Sequence, residues 1–114
     1  LIPLPILISY KKIVKELFSV EEKDESVIPV VVPNWDPSPR RKRWVSIWTG
    51  ITPELYKEQI RRVLELVKEK DNKWIFIKSW NEWGEGNYLE PDRKTGRKFL
   101  QAMKEAIDEY LANE

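Results

Sequence analysis

Glu82 and Glu85 stand three positions apart in residues 75–92, where a β-branched run passes into a tryptophan-rich loop carrying a third glutamate, Glu90. Carboxyl groups in aromatic surroundings can have their proton affinities pushed apart, so that one donates a proton while the other accepts one. This is the equipment of a sugar-processing site. The chain has no histidine and no cysteine, which removes the usual catalytic triads, thiolate nucleophiles and histidine-based metal sites and leaves proton transfer to Glu and Asp. No repeated acidic spacing of a calcium-loop kind is present, so neither a metal nor another cofactor is expected.

A site of this kind needs elements to hold it. Residues 10–18 place Ile13, Val14, Leu17 and Phe18 at helical spacing, and the charged stretch 21–25 ends that helix. Residues 27–32 form a β-branched run, expected to be a strand buried on both faces, with Pro29 near its start. The proline-rich segment 33–43 is expected to be a long ordered loop, and 44–48 a short strand or extended segment. Thr52, Pro53 and Glu54 supply an N-cap hydroxyl, a first-turn proline and an acid at the positive end of the helix dipole. The resulting helix should run to about residue 70 and bury Tyr56, Ile60, Val63, Leu64 and Val67. Residues 74–79 read as a second buried strand, and a last helix over about 96–111 should bury Phe99, Leu100, Met103, Ile107, Tyr110 and Leu111.

The order helix, strand, loop, helix, strand, loop, helix indicates one α/β unit with two main parallel strands and three helices, without an internal linker. In such folds ligands sit at the carboxyl ends of the strands. Trp35, Asp36 and Arg40 follow the first strand, while Trp80, Asn81, Glu82, Trp83 and Glu85 follow the second, so parallel pairing would bring the two loops together. Tyr88 and Glu90 extend the second set as candidate substrate contacts. Trp35 and Trp83 could stack on the apolar face of a sugar ring or simply anchor their loops. Glu90 and Asp36 read first as loop-shaping groups, with a sugar hydroxyl as the alternative ligand.

Twenty basic and nineteen acidic residues leave a net charge of +1, which gives no global field to attract nucleic acid. The cluster Arg40-Arg41-Lys42-Arg43 reads as a solvated loop, with a nucleic-acid patch as the weaker alternative. The opening run, residues 1–8, is interrupted by two prolines and is far shorter than the roughly 20 residues of a bilayer span, so membrane insertion is not expected. It lacks the features of a signal peptide. Compartment stays open, with the cytoplasm as the expectation.

Three stretches, residues 33–40, 52–56 and 80–92, carry a resemblance. Pro-Asn-Trp-Asp-Pro-Ser-Pro-Arg, Thr-Pro-Glu-Leu-Tyr and Trp-Asn-Glu-Trp-Gly-Glu-Gly-Asn-Tyr-Leu-Glu-Pro-Asp resemble the closing third of the WbsX-like glycosyltransferases. These are associated with lipopolysaccharide and surface-polysaccharide synthesis and are similar to the endo-α-mannosidases of glycoside hydrolase family 99. The resemblance runs from about Tyr10 onward. It implies the C-terminal portion of a (β/α)8 TIM-type barrel and an oligo- or polysaccharide substrate. It also implies that Glu82 deprotonates a sugar 2-hydroxyl to form an anhydro intermediate, while Glu85 acts as general acid and then base. Gly84 stands where the mannosidases have histidine, Asn87 where they have threonine, and Pro37 where the WbsX-like proteins usually have asparagine.

A full barrel takes about 250 residues, so the expectation is a piece of a longer enzyme, inactive by itself, or a chain that completes its sheet with another chain or by self-association through exposed strands. A non-catalytic carbohydrate-binding or assembly module, or an inactive relic, is the competing reading. Hydrolase and transferase remain open, because the same carboxylates serve both.

Overall fold

The computed structural model describes residues 4–114. In chain order they form β1 (Ile6–Ser9), α1 (Tyr10–Glu16), a 3-10 turn (Glu21–Lys23), β2 (Val30–Val31), β3 (Ser46–Thr49) and α2 (Pro53–Lys68). There follow β4 (Phe76–Ile77), β5 (Asn81–Glu82), a second 3-10 turn (Trp83–Glu85), β6 (Asn87–Tyr88) and α3 (Lys98–Ala112). The class is mixed α/β. β2 and β4 pair in parallel, Val30 with Phe76 and Val31 with Ile77, as the two β-branched runs lead one to expect. A second parallel pair joins β1 to β3 from Ile6–Ser46 to Ser9–Thr49. β5 and β6 form a small antiparallel hairpin within the glutamate loop.

The helices follow their local signals. Thr52 Oγ1 accepts the Leu55 amide at 3.1 Å, and Pro53 occupies the first helical position of α2, where its missing N–H costs nothing. The apolar face of α2 then meets α3. Tyr56, Ile60 and Val63 form one buried cluster with Val31, Leu89 and Ala106, lined by Phe18, Leu64, Ile75, Phe99, Leu100 and Met103. Lys57 and Arg61 reach across to Glu109, at 2.7 and 3.0 Å, closing the helix pair on its wet side.

A polar clamp lies beneath. Gln59, fully buried, donates from Nε2 to the Tyr10 hydroxyl at 3.0 Å and to the Val32 carbonyl at 3.1 Å, and its Oε1 accepts the Val32 amide. Tyr10 Oη also donates to the Val32 carbonyl, at 3.1 Å. α1, α2 and the end of β2 are thus tied by one carboxamide. Burial, helped by the nearby Tyr56, pushes the Tyr10 phenol well above its ordinary value. Tyr10 also stacks on Trp48, ring centres 5.8 Å apart, joining the β1–β3 pair to this layer.

Several expectations need correction. The first helix stops at Glu16 rather than Phe18. The strands at 27–32 and 74–79 shrink to two residues each, and neither is buried on both faces: Val31 is inside, but Val30, Phe76 and Ile77 face solvent. Among the described residues nothing covers that outer face. The opening apolar run, which carried no assigned element, supplies β1, with Ile6 and Leu7 exposed; residues 1–3 lie outside the described residues. In α3 the fully buried positions are Ala102 and Ala106, whereas Ile107 and Leu111 are exposed, because α2 covers only one narrow stripe where small side chains allow close approach.

Open packing shows in the dimensions. The radius of gyration is 15.1 Å, against about 13 Å for a compact domain of this length. The accessible surface of 8062 Å² likewise exceeds the roughly 6,600 Å² usual for a compact monomer of this mass.

Candidate functional site

The two loops meet. The Asp36 amide donates to the Glu85 carbonyl at 2.8 Å, and the Trp35 carbonyl accepts the Trp48 amide at 2.9 Å, so the first loop is held between β3 and the glutamate turn. Asp36 is spent on shaping its own turn, with Oδ1 accepting the Ser38 amide at 3.0 Å. Pro37 is buried, and its carbonyl accepts the amides of Arg40 and Arg41 at 3.0 and 2.8 Å. This tight turn sends Arg40 back toward the glutamates.

Arg40 then bridges the pair, with Nη2 3.1 Å from Glu82 Oε1 and Nη1 3.9 Å from Glu85 Oε1. Lys78 approaches Glu85 from the other side at 3.7 Å while lying over the Trp35 ring, 5.4 Å from its centre, a cation–π arrangement. Both carboxyl groups keep contact with water, their side chains 37% and 24% exposed. Two glycines make the approach possible. A Cβ on Gly84 would lie 2.6 Å from Arg40 Nη2, and one on Gly86, whose φ is +60°, would lie 3.0–3.1 Å from the Asp36 backbone and Cβ.

The second half of the loop has a separate set of bonds. Trp83 stacks flat on Tyr88, ring centres 3.6 Å apart and 11° from parallel, and its indole N–H donates to Glu90 Oε1 at 3.2 Å. Tyr88 donates to Asp92 Oδ2 at 2.8 Å. Partial burial and that bond push the Tyr88 phenol up to about 12. Burial raises the Asp92 carboxyl, but bonds from Thr95, Tyr88 and the Gly96 amide outweigh it and hold the group below its ordinary value. Leu89 drops into the core beside Val31 and Tyr56 and anchors the loop.

The candidate residues therefore fall into two groups: Arg40, Glu82 and Glu85, held together by ion pairs, with Trp35 joined to them under Lys78, and Trp83, Tyr88 and Glu90, held by stacking and an indole bond. Trp80 and Asn81 are exposed, and their contribution within the chain is backbone: the Trp80 carbonyl accepts the amides of Leu89 and Glu90, and Asn81 pairs with Tyr88. Lys78, Ser79 and Asp92 were missed from the sequence. Lys78 could have been found as a cation at the carboxyl end of a strand; Ser79 Oγ, which donates to the Asn87 carbonyl and accepts the Glu82 amide at 3.1 Å, carried no such signal. Among the described residues no three carboxylates converge as a metal centre would require.

A profile of the family described as Glycosyltransferase WbsX matches residues 4–103. The chain belongs to that family. It is also similar to two proteins of Xanthomonas campestris pv. campestris, each described as uncharacterized protein WxcX. One is 28% identical over 104 residues, covering 89% of this chain and 15% of the relative; that of strain B100 is 29% identical over 101 residues, covering 86% and 14%. The chain thus spans about a seventh of the length of these relatives. No solved structure matches it significantly. The family's description places the chain in a carbohydrate-related context.

Proposed function

We propose that this chain carries the carboxylate pair of a carbohydrate-active enzyme that makes or breaks glycosidic bonds in polysaccharide or lipopolysaccharide metabolism, with Glu82 and Glu85 as the reacting groups. The observation that carries the reading is the meeting of two sequence-distant loops on this pair, where Arg40 touches both carboxyl groups. Two partly exposed carboxyls with aromatic rings at their edge suit a sugar, whose hydroxyls need acceptors and whose ring faces need flat apolar surfaces. In this reading Glu82 takes a proton from a substrate hydroxyl and Glu85 serves the leaving or attacking oxygen. Arg40 yields its bonds to the entering sugar, while Trp35, Trp83, Tyr88 and Glu90 line its approach.

The chain is further proposed to be the closing part of a (β/α)8 barrel. The parallel pairing of β2 with β4, the site at the strands' carboxyl ends and the solvent-facing Ile6, Leu7, Phe76 and Ile77 support this. The remaining strands of such a barrel would cover those side chains.

The test is incubation of the chain with a panel of oligosaccharides, with and without nucleotide-sugar donors, comparing the unmutated protein with Glu82→Gln and Glu85→Gln. Turnover lost in both variants with sugar binding retained supports the assignment. Turnover kept in either variant rejects the assignment, and absence of sugar binding by the unmutated chain rejects the sugar site; binding without turnover is what a piece of a longer barrel gives by itself.

A further inference from the structure

The basic run next to the site remains without a role. Arg40 is engaged with the glutamates, but Arg41, Lys42 and Arg43 are exposed and make no ion pair among the described residues. Arg41 and Lys42 line a cavity of about 290 Å³ with Ser38, Trp44, Pro5, Val45 and Ile47. Its wall contains no carboxylate. Trp44 is 81% exposed, and its backbone stands at φ +54°, a left-handed conformation uncommon for a bulky residue. A strained turn that holds a large ring in water, beside two unpaired cations and over an apolar floor, is poor design for a merely solvated loop.

We infer that this cavity is an anionic-sugar subsite: Arg41 and Lys42 receive the carboxylate or phosphate group of a glycan residue whose ring lies against Trp44, while the neighbouring residue of the same glycan reaches Glu82 and Glu85. The inference rests on the functional reading above and adds the substrate class. Continuity with the site is covalent, since Arg40 belongs to the same run and binds Glu82. The chemistry is complementary. A guanidinium and an ammonium give charge-assisted bonds to an oxyanion, Ser38 offers a hydroxyl, and the indole face suits the apolar side of a sugar ring. The site proper places its two cations opposite two carboxylates, whereas Arg41 and Lys42 face none in the wall of this cavity.

The experiment is an amide NMR titration of the full chain with trigalacturonate and, in parallel, with maltotriose, which has the same length and no charge. Trigalacturonate is expected to bind more tightly and to shift Ser38, Arg41, Lys42, Val45 and Ile47. Arg41→Ala with Lys42→Ala should weaken it about tenfold or more, the usual effect of losing charge-assisted hydrogen bonds. Trp44→Gly, a change the left-handed backbone accepts, should weaken both sugars while leaving the fold intact. Equal affinity for the two sugars, or an unchanged double variant, overturns the inference. So does preferential binding to vesicles with phosphatidylserine, which would make the anion a lipid headgroup, or to a single-stranded oligonucleotide. If maltotriose still shifts Trp35, Glu82 and Glu85, the functional reading survives and only the acidic subsite falls.

Discussion

Between α2 and α3, Tyr56, Val63 and Ala106 are withdrawn from water, and on the neighbouring face of α2 the buried Gln59 has every bond it needs. Around Glu82 and Glu85 the reverse holds: the side chains stay wet, and their partners are a half-exposed arginine and lysine. The helical layer is finished within this chain. The loop is anchored to the layer by Leu89, and its carboxylates are held by exposed ion pairs that a ligand could replace. A binding surface is expected to differ from its scaffold in this way, because groups already satisfied by buried partners have nothing left to offer.

The contrast is broken most severely at Tyr56. Tyr56→Ala should cost about 3–5 kcal/mol, as loss of a large buried ring usually does, and urea unfolding would measure it. A variant that kept most of its stability would mean the helical layer is not the framework. Gln59→Ala follows, since it leaves the Val32 amide unpaired and takes one bond each from the Val32 carbonyl and the Tyr10 hydroxyl, which keep their bond to each other; a loss of about 1–3 kcal/mol is expected in the same assay.

These two residues also show how far the chain could be read beforehand. Tyr56 is legible because it sits on the apolar stripe of α2, and the same periodicity placed Ile60, Val63 and Val67. Gln59 is not legible, since a glutamine between apolar positions gives no sign that its amide will meet a strand end. The convergence of the two loops followed from parallel β2 and β4, whereas the particular bridge did not: Arg40 stood among the candidates, but that it would lie against Gly84 depends on a tertiary approach no local pattern encodes. The strand lengths and burial were misjudged for one physical reason. β-branched runs signal a sheet interior, and this chain by itself covers only one side of it.

The loop's own response to pH is expected to be smaller. Asp92 is held below the ordinary aspartate value, so its contribution is complete above the unfolded value and fades as pH falls through the folded one. Tyr88 runs the other way: its contribution is complete below 10.0 and is lost as pH climbs through about 12. Thermal unfolding across pH should show both limbs, and Asp92→Asn should flatten the acid one; an unaltered acid limb would place the sensitivity elsewhere. The smallest effect on stability belongs to Gly84→Ala. Its Cβ displaces the guanidinium of Arg40, an exposed side chain whose ion pair is worth under about 1 kcal/mol. The melting point should scarcely move while the Arg40 Nε–H resonance shifts, which separates the architecture of the loop from that of the helices. A large drop in melting point would show that the two regions are not independent.

The clamp at Gln59 has one more consequence. Its carboxamide offers Val32 one donor and one acceptor side by side, the same pair that a peptide unit of an adjoining strand would present. A side chain here counterfeits a neighbouring backbone. On the other flank of β2 the Val31 carbonyl is taken by the Lys78 amide at 2.9 Å. Past Val31 the strand therefore has no free edge at Val32 to recruit another chain, and the ladder ends where the loop leading to Trp35 and Arg40 begins.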